Sequence, residues 1–594
     1  MAQPFFIGIW ALVGSSAVVA APSITQRIEH IQQGLLPPVL ISGQAPRTTD
    51  LASRMKGLRV PGASVAVIHE GKLEWARGFG VTRIGGPPVT ADTLFQAASI
   101  SKPVFTAAVM SLVQSSKLDL DADVNHYLKS WKLPENEFTR DARVTLRTLL
   151  SHSAGITVQG FGGYQAGTPV PTLVQVLDGD GPANSEPIRV GAVPGKQRSY
   201  SGGGFVIAEQ VVNDVTGVAL PKLMHDLVLA PYGMKQSTYE QPLPPDLLAR
   251  AAIPYRSDGT PVPGGPHVYP ELAAAGLWTT PSDLARYAIG LQQALAGKSG
   301  RVLSDKTAHL MLTPQSGPQA LGFVIGGTPT RPTFSHGGGN AGYRCMLIAY
   351  EAGDGVVVMT NGDNGDALMN DLVRTVAHEY GWPDYQPVVR TVAAVDPRAF
   401  DRYVGAYRLP SGRIATFWRH GNALNARIWG DAPVQLFPTS DHEYFANTSD
   451  LRWVFSEGAA DTVATLYLPG LEQSAKPIAE SEGRVDLDAS IAVTGRFAAQ
   501  RPAGGSETAL LGVIRGLAAG NPDYGSMTPE FAELTRQVLP GVQKLVASLG
   551  AVQSMDFEKV EAAGNDVYRV NFAAGTREFS ILLDPDGRIH SVFF

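Results

Sequence analysis

Apolar runs in the first part of the chain predict strands and helices in alternation. Residues 63–69 form an apolar run that ends at the Glu70-Gly71 turn, and residues 73–78 are its predicted hairpin partner. Residues 104–113 are apolar nearly all round, which predicts a helix buried at the centre of a domain. The pattern therefore indicates a fold that mixes strands and helices.

The same alternation continues to about residue 390. Helices are predicted over residues 205–215 and 281–295, and Thr280-Pro281 supplies the second helix with an N-cap and a proline at its first position. Later strands are predicted over residues 334–336, 343–350 and 355–360. Strand hairpins at both ends with helices between them predict an α+β domain over residues 22–390.

The pattern changes after Trp382-Pro383, where short segments alternate between apolar and polar residues. Four such strands are predicted over residues 414–419, 424–429, 451–455 and 463–468. Short strands separated by closely spaced turns are typical of a small barrel or sandwich. We therefore predict an antiparallel β-barrel domain over residues 395–485.

A polar connector near residues 500–505 leads to a third unit. In this unit Thr528-Pro529 starts a helix, because threonine is a good N-cap and proline is favoured at the first helical position. Strands are then predicted over residues 567–572, 578–583 and 588–594. The order predicts a C-terminal α+β domain over residues 505–594.

Residues 1–21 form an apolar segment rich in small residues, and Val18-Val19-Ala20 offers a cleavage site near its end. Such a segment is typical of a secretory signal peptide. No Lys or Arg precedes Arg27, so an uncleaved N-terminal anchor is the alternative. We therefore expect an exported protein, periplasmic or secreted, that contacts a membrane only through this segment.

Composition narrows the classes of function. The 594 residues carry a formal net charge of −6 and no dense block of Lys or Arg, which argues against nucleic acid as a partner. The single cysteine, Cys345, leaves no intramolecular disulfide to form. The histidines show no ligand spacing, and His378-Glu379 lacks the second histidine of a zinc helix. We therefore predict neither a metal site nor a cofactor.

The tetrad Ser99-Ile100-Ser101-Lys102 carries the candidate chemistry. Residues three apart share a helix face, so Lys102 can lie beside the Ser99 hydroxyl as the base that a serine nucleophile needs. The start of a helix also presents free backbone N–H groups that can hold an oxyanion. Ser53-Arg54-Met55-Lys56 has the same pattern, and the alternative for Ser99 is an N-cap serine.

Two further motifs follow the tetrad in order. Tyr200-Ser201-Gly202 opens a predicted helix with a tyrosine on its leading loop, and His336-Gly337-Gly338-Gly339 ends a predicted strand with glycines that permit close approach of a ligand. Leu149-Leu150-Ser151-His152-Ser153 forms a loop between the tetrad and Tyr200. His152 is interpreted as structural, bonding within this loop.

These motifs, in this order over roughly residues 45–385, resemble those of the serine β-lactamase and penicillin-binding-protein superfamily. The resemblance is to its class C-related branch, which includes D-aminopeptidases, D-alanyl-D-alanine carboxypeptidases and carboxylesterases. It implies a β-lactamase-like fold, an antiparallel sheet with a helical domain. It also implies that Ser99 is the nucleophile, that Lys102 and Tyr200 are its catalytic partners, and that the site needs no cofactor.

The resemblance further implies the substrate-binding positions. The strand at His336 and Gly338 flanks the substrate, and the N–H groups of Ser99 and Gly339 form the oxyanion hole. Gly202 stands where class C β-lactamases carry an asparagine that contacts the substrate amide, and His336 stands where they carry lysine. Both departures argue against β-lactam hydrolysis as the main activity.

The sequence therefore predicts an exported serine hydrolase that acts through an acyl-enzyme on a small ester, amide or peptide. Carboxylesterase, D-amino-acid peptidase and weak β-lactamase activities are the candidates. The alternative is a penicillin-binding or sensor-like protein that is acylated at Ser99, turns over slowly, and binds a partner through its C-terminal domains. Those domains are also candidates for contact with the cell envelope.

Overall fold

The structure, a computed structural model, describes residues 22–298, 300–428, 431–458, 463–469 and 472–593. The predicted export segment, residues 1–21, lies outside the described residues. Among the helices of the described part, none combines the length and the apolar character that crossing a membrane requires.

A six-stranded antiparallel sheet forms the frame of the first domain. In order across the sheet its strands are Lys72–Gly80, Gly62–His69, Gly355–Thr360, Tyr343–Tyr350, Arg331–Asn340 and Val324–Thr328. Side chains alternate between the faces of a strand. Val65 and Val67 accordingly lie in one apolar core, and Ala66 and Ile68 in another on the opposite face. The continuous apolar run of this strand reflects burial on both sides.

Helices cover both faces of the sheet. Ile24–Gln33, Leu51–Gly57 and Gly365–Glu379 pack on one face. The other face carries three long helices: Ser101–Gln114, here the nucleophile helix, Gly202–Thr216, here the tyrosine helix, and Pro281–Leu295. The Thr280 hydroxyl accepts the N–H of Asp283, which confirms the predicted cap of the last helix.

Shorter elements complete the first domain. Its short helical segments are Val124–Tyr127, Leu146–Leu150, Leu173–Asp178, Leu220–Met224, His225–Leu229, Ala230–Tyr232, Pro245–Leu248, Leu272–Ala275 and Asp305–Leu312. Strand Phe95–Gln96 pairs with Trp278–Thr279, and Val39–Ile41 pairs in parallel with Val388–Arg390. The first of these pairs leads directly into a 3₁₀ turn, Ala98–Ile100, which we call the nucleophile turn.

One predicted strand of the first domain is longer than expected. The prediction covered residues 334–336 and let the glycine run end the strand, but the strand extends over Arg331–Asn340. We call it the glycine strand. Its glycines stay in register with the neighbouring strand, Gly338 opposite Cys345 and Gly339 opposite Arg344. The backbone pairing of this long hairpin outweighs the low strand propensity of glycine.

Eight antiparallel strands close into a barrel, which confirms the predicted architecture of the second unit. They are Gly405–Arg408, Ile414–His420, Ala423–Ile428, Val434–Pro438, Glu443–Phe445, Arg452–Glu457, Val463–Leu468 and Gln473–Pro477, after the 3₁₀ turn Pro397–Tyr403. Aromatic side chains fill the interior, and the Phe417 ring lies 5.1 Å from that of Phe455 and 5.4 Å from that of Trp453.

The C-terminal unit packs helices on a four-stranded antiparallel meander. Its helices are Glu480–Ala499, Ser506–Ala519 and Pro529–Ser548, with a 3₁₀ turn at Tyr524–Ser526. Its strands are Val552–Val560, Asp566–Phe572, Gly575–Leu583 and Ile589–Phe593. An ion pair between Arg59 and Glu561, 2.7 Å apart, joins this unit to the first domain.

Among the elements of the C-terminal unit that were not predicted, one helix and one strand lack a clear apolar pattern of their own. The helix Glu480–Ala499 buries only Gly483, Ser490 and Val493, so it shows no wide apolar stripe in the sequence. The strand Val552–Val560 lies at the edge of its sheet and buries only Val560 fully, so its apolar pattern is weak. Both elements are stabilised by neighbouring elements rather than by their own apolar pattern.

Candidate active site

Ser99 lies in a 3₁₀ turn, Ala98–Ile100, that leads into the nucleophile helix. Its side chain is half-buried, and the N-cap of the helix is Ile100, so Ser99 is not the N-cap serine of the alternative interpretation. The preceding Ala98 has a φ of 49°, in the left-handed region that costs a non-glycine residue about 1–3 kcal/mol. Backbone strain of this kind is common at functional sites.

Lys102 lies beside Ser99, as the tetrad predicts. The Lys102 Nζ is 2.9 Å from Ser99 Oγ and 2.8 Å from the carbonyl oxygen of Ala274. The side chain is only 2% exposed, and its Nζ lies 5.1 Å from the centre of the Tyr200 ring and 5.7 Å from that of Phe205. A buried amine in direct contact with a serine hydroxyl is the arrangement that proton transfer between them requires.

Tyr200 is held by the residues around the start of the tyrosine helix. Ser201 caps this helix, because its hydroxyl accepts the N–H of Gly204 and donates to the carbonyl of Thr157. The Ser201 N–H donates to His152 Nδ1 at 3.1 Å, and the His152 ring lies 4.2 Å from the Tyr200 ring, measured between centroids. The structure therefore places His152 against Tyr200, a contact that the sequence did not predict.

His152 is 2% exposed, and its Nδ1 accepts a hydrogen bond, so its neutral form carries the proton on Nε2. Burial, together with the nearby Lys102 cation, holds the pKa of His152 well below its usual range. Its Nε2 has no hydrogen-bond partner among the described atoms. His152 is thus a neutral side chain packed inside the site.

His336 lies on the other side of Tyr200, with ring centroids 6.3 Å apart. Its Nδ1 donates to the carbonyl of Gly337 at 2.6 Å. Burial first, and then the charge of Lys102, lower the pKa of His336 to about 4. The side chain is therefore neutral at pH 7, and this position of the site carries no positive charge.

The glycine strand approaches the nucleophile turn closely at Gly338. A Cβ on Gly338 would lie 2.3 Å from the carbonyl oxygen of Ala97 and 2.5 Å from Cys345 Sγ, so only glycine fits. Gly339 is the next residue and is exposed at the site. The glycine strand and the nucleophile turn are thus close neighbours. The oxyanion role of the Ser99 and Gly339 N–H groups stays a prediction, and it is compatible with this geometry.

Gly202 is buried in the first turn of the tyrosine helix. Its N–H donates to the carbonyl of Gln159 at 2.9 Å, and a Cβ on Gly202 would lie 2.9 Å from Cε2 of Phe161. The loop of residues 157–162 therefore lies directly against the position where class C enzymes carry a substrate-binding asparagine.

Two cavities open on either side of this loop and share Phe161 and Gly162 as lining residues. The first, of about 620 Å³, lies between residues 157–162 and residues 184–189. The second, of about 590 Å³, lies between Phe161 and the glycine strand, and Tyr269 and Met346 also line it. The second cavity contains Gly338 and Gly339 and is therefore the one next to the candidate oxyanion site.

Two buried carboxyl groups lie behind Lys102. Glu209 of the tyrosine helix accepts the N–H of Ala273 at 2.8 Å, next to the Ala274 carbonyl that Lys102 contacts. Burial raises the pKa of Glu209 to about 8 and that of Glu271 to about 7. The sequence signal for Glu209 is an acidic residue within the apolar stretch 205–212 of its helix, but no motif points to either residue.

Comparison with known proteins agrees with this geometry. Residues 49–380, more than half of the chain, match the model of the beta-lactamase family. Penicillin-binding protein 4* of Bacillus subtilis (strain 168) is 23% identical over 413 residues, which cover 65% of this chain and 88% of that protein. Esterase EstB of Burkholderia gladioli is 30% identical over 213 residues, which cover 34% of this chain and 52% of the esterase.

A solved structure shows the same fold. The octameric penicillin-binding protein homologue from Pyrococcus abyssi superimposes with a TM-score of 0.50 at 21% identity, covering 72% of this chain and 98% of that chain. The family match, the shared fold and the Ser99–Lys102 contact lead to one conclusion. The chain belongs to the beta-lactamase and penicillin-binding-protein superfamily of serine hydrolases.

Proposed function

We propose that the protein is an exported serine hydrolase that cleaves carboxylic esters or amides through an acyl-enzyme on Ser99. The observation that carries this proposal is the 2.9 Å contact between Lys102 Nζ and Ser99 Oγ. Export rests on the apolar segment of residues 1–21, whose composition is typical of a signal peptide.

The reaction follows from these positions. Ser99 Oγ attacks the carbonyl carbon of the substrate, and its proton passes to the Lys102 amine in its neutral form, or to Tyr200 in its phenolate form while Lys102 is charged. The C–O or C–N bond of the leaving group then breaks, and the leaving group takes up that proton. Water attacks the acyl-enzyme in the same way, which releases the acid and returns the proton to Ser99.

Because His336 is neutral, the site favours a substrate that has no carboxylate group next to the glycine strand. A β-lactam carries such a carboxylate, and a cation at this position would bind it. Because burial lowers the pKa of His336 to about 4, this site offers no cation there at pH 7. Esterase EstB is named for ester hydrolysis, which fits a carboxylesterase better than a β-lactamase.

Slow turnover is the second candidate function, and Gly202 favours it. Gly202 has no side chain to hold an acyl amide, and penicillin-binding protein 4* is named for binding a β-lactam. Under this alternative Ser99 is acylated and the acyl-enzyme persists, while the barrel and the C-terminal unit bind a partner.

Intact-mass measurement separates the two candidates. The purified full chain is incubated with p-nitrophenyl butyrate, a D-amino-acid amide and nitrocefin, and both product release and the mass of the protein are followed. A hydrolase releases product over many turnovers with the protein mass unchanged, whereas a trapped acyl-enzyme shows an added acyl mass that the Ser99→Ala variant lacks. Absence of both signals with all three compounds would contradict the proposal.

A further inference from the structure

Phe161 fills the space beside Gly202. A Cβ on Gly202 would lie 2.9 Å from Phe161 Cε2 and 3.1 Å from the carbonyl oxygen of Gln159. The loop is fixed in this place by two backbone hydrogen bonds, from Gly202 N–H to Gln159 and from Gly203 N–H to Val158. An aromatic ring, rather than a polar side chain of the tyrosine helix, therefore borders this part of the cleft.

Two backbone oxygens next to Phe161, those of Gln159 and Gly162, already have partners. The Gln159 carbonyl accepts from Gly202, and the Gly162 carbonyl accepts from His267 Nδ1 at 3.0 Å and from the Tyr269 hydroxyl at 3.3 Å. A substrate amide lying against the ring would give up hydrogen bonds to water and find few in return. Such an exchange lowers affinity.

The charged residues of the second cavity are paired with one another. Arg344 contacts Asp363 at 2.9 Å and Asp366 at 3.2 Å, and it also donates to the carbonyl of Asn340. One arginine against two aspartates leaves a formal charge of −1, so this cluster does not attract an anionic substrate. The large apolar side chains that line this cavity are those of Phe161, Tyr269, Met346 and Met369.

We infer that Phe161 is the wall of an acyl subsite, and that this subsite takes a hydrocarbon or aromatic acyl group rather than an acylamino group. The inference rests on the proposed function, because it places the substrate carbonyl between Ser99 and Gly339. From that point the acyl chain extends into the cavity of about 590 Å³ that lies between the glycine strand and Phe161. Phe161 is thus a specificity-determining residue.

Two esters with the same leaving group and the same chain length test this inference. They are p-nitrophenyl pentanoate and p-nitrophenyl N-acetylglycinate, which differ in whether the acyl chain contains an amide. For Phe161→Ala we expect the ratio of kcat/KM for pentanoate to that for N-acetylglycinate to fall about tenfold, because the apolar wall is lost. Comparing this ratio between variants cancels the different intrinsic reactivity of the two esters.

A double variant tests the inference in the opposite direction. Phe161→Ala combined with Gly202→Asn removes the ring and places an amide in the vacated space. We expect this variant to raise kcat/KM for N-acetylglycinate above that of Phe161→Ala alone, since the new amide can bond the acylamino group. No gain would count against the subsite.

Phe138→Ala is the matched control, because Phe138 is also half-buried but lines neither cavity. Its ester ratio should equal that of the unmodified protein. If Phe161→Ala fails to fold by circular dichroism, Phe161→Leu replaces it. This variant should turn over p-nitrophenyl phenylacetate several-fold less well relative to the pentanoate, and an unchanged preference would contradict the inference.

The outcomes keep the inference and the proposed function apart. An unchanged ratio in Phe161→Ala, with ester turnover intact in the unmodified protein, overturns the subsite and leaves the hydrolase standing. Absence of ester turnover and of Ser99 acylation in the unmodified protein overturns both.

Discussion

The imidazole of His152 lies against the phenol ring of Tyr200, with centroids 4.2 Å apart and ring planes inclined by 34°. The same imidazole accepts the N–H of Ser201, which caps the tyrosine helix. One buried side chain therefore supports both the ring of Tyr200 and the backbone that carries it. From this contact we expect His152 to have a positioning role in addition to its place in the loop.

Replacing His152 should lower catalysis more than substrate binding. We expect His152→Ala to reduce kcat about tenfold to a hundredfold with little change in KM, because Tyr200 loses its support on one side. His152→Asn keeps an acceptor for the Ser201 N–H and should retain more activity. Steady-state kinetics on p-nitrophenyl butyrate measures both variants, and equal activity in His152→Ala and the unmodified protein would contradict this role.

Ser99→Ala should lower ester turnover by at least about a thousandfold, since it removes the nucleophile. Ser53→Ala is the matched control, because Ser53 begins the second Ser-x-x-Lys pattern of the chain yet is exposed on the helix Leu51–Gly57. Its activity should equal that of the unmodified protein. Comparable losses in both variants would remove Ser99 from the mechanism.

Tyr200→Phe should lower kcat about a hundredfold and change KM little. The ring and its contacts with His152 and Lys102 are kept, and only the hydroxyl to which the proposed mechanism assigns proton transfer is lost. The kcat and KM of the purified variant on p-nitrophenyl butyrate provide the measurement. A change confined to KM would assign Tyr200 to substrate positioning instead.

The buried His336 should destabilise the fold as the pH falls. Burial lowers its pKa to about 4 from the 6.5 of an ordinary histidine. Between these values the unfolded chain binds a proton that the folded chain does not, so stability is lost as the pH falls from 6.5 to 4, by about 3 kcal/mol. The free energy of unfolding is measured in urea at pH 7 and at pH 5, with loss of ester turnover as the signal. Its decrease between the two pH values should be smaller for His336→Gln than for the unmodified protein. An equal decrease in the two proteins would mean that a group other than His336 causes the loss of stability.

Glu209 should have the opposite effect. Burial raises its pKa to about 8 from 4.5, so the folded chain keeps a proton that the unfolded chain releases between these values. Stability is therefore lost as the pH rises from about 4.5 to 8, on the order of 4 kcal/mol for this group. Glu209→Gln keeps an acceptor for the Ala273 N–H and should flatten the loss between pH 5 and pH 8 in the same urea experiment. If stability falls equally with pH in the unmodified protein and in Glu209→Gln, the pKa of Glu209 is not raised in the folded chain.

Much of the site could be predicted because its signals are local. Ser99 and Lys102 are three residues apart on one helix, and Tyr200 directly precedes a serine cap, so short motifs fix these positions. The predicted helix 281–295 and strand 343–350 match the structure because their apolar patterns are strong and their ends are marked.

The remaining contacts depend on residues that are distant in the chain. Phe161 meets Gly202 only because backbone hydrogen bonds bring the loop of residues 157–162 onto the tyrosine helix. The His152 ring packs against the Tyr200 ring, and the Glu209 carboxyl group accepts the N–H of Ala273. None of these pairs has a spacing in sequence that predicts contact, so only the folded chain reveals them.

The thiol of Cys345 connects the packing of the site to a measurable rate. It is the single cysteine of the chain, it is fully buried, and its Sγ donates to the carbonyl oxygen of Ala97 at 2.9 Å. Separation of the glycine strand from the nucleophile turn would expose this Sγ to a thiol reagent. The rate at which the native protein reacts with such a reagent is therefore a measure of the spontaneous opening of the catalytic centre, and it needs no engineered cysteine.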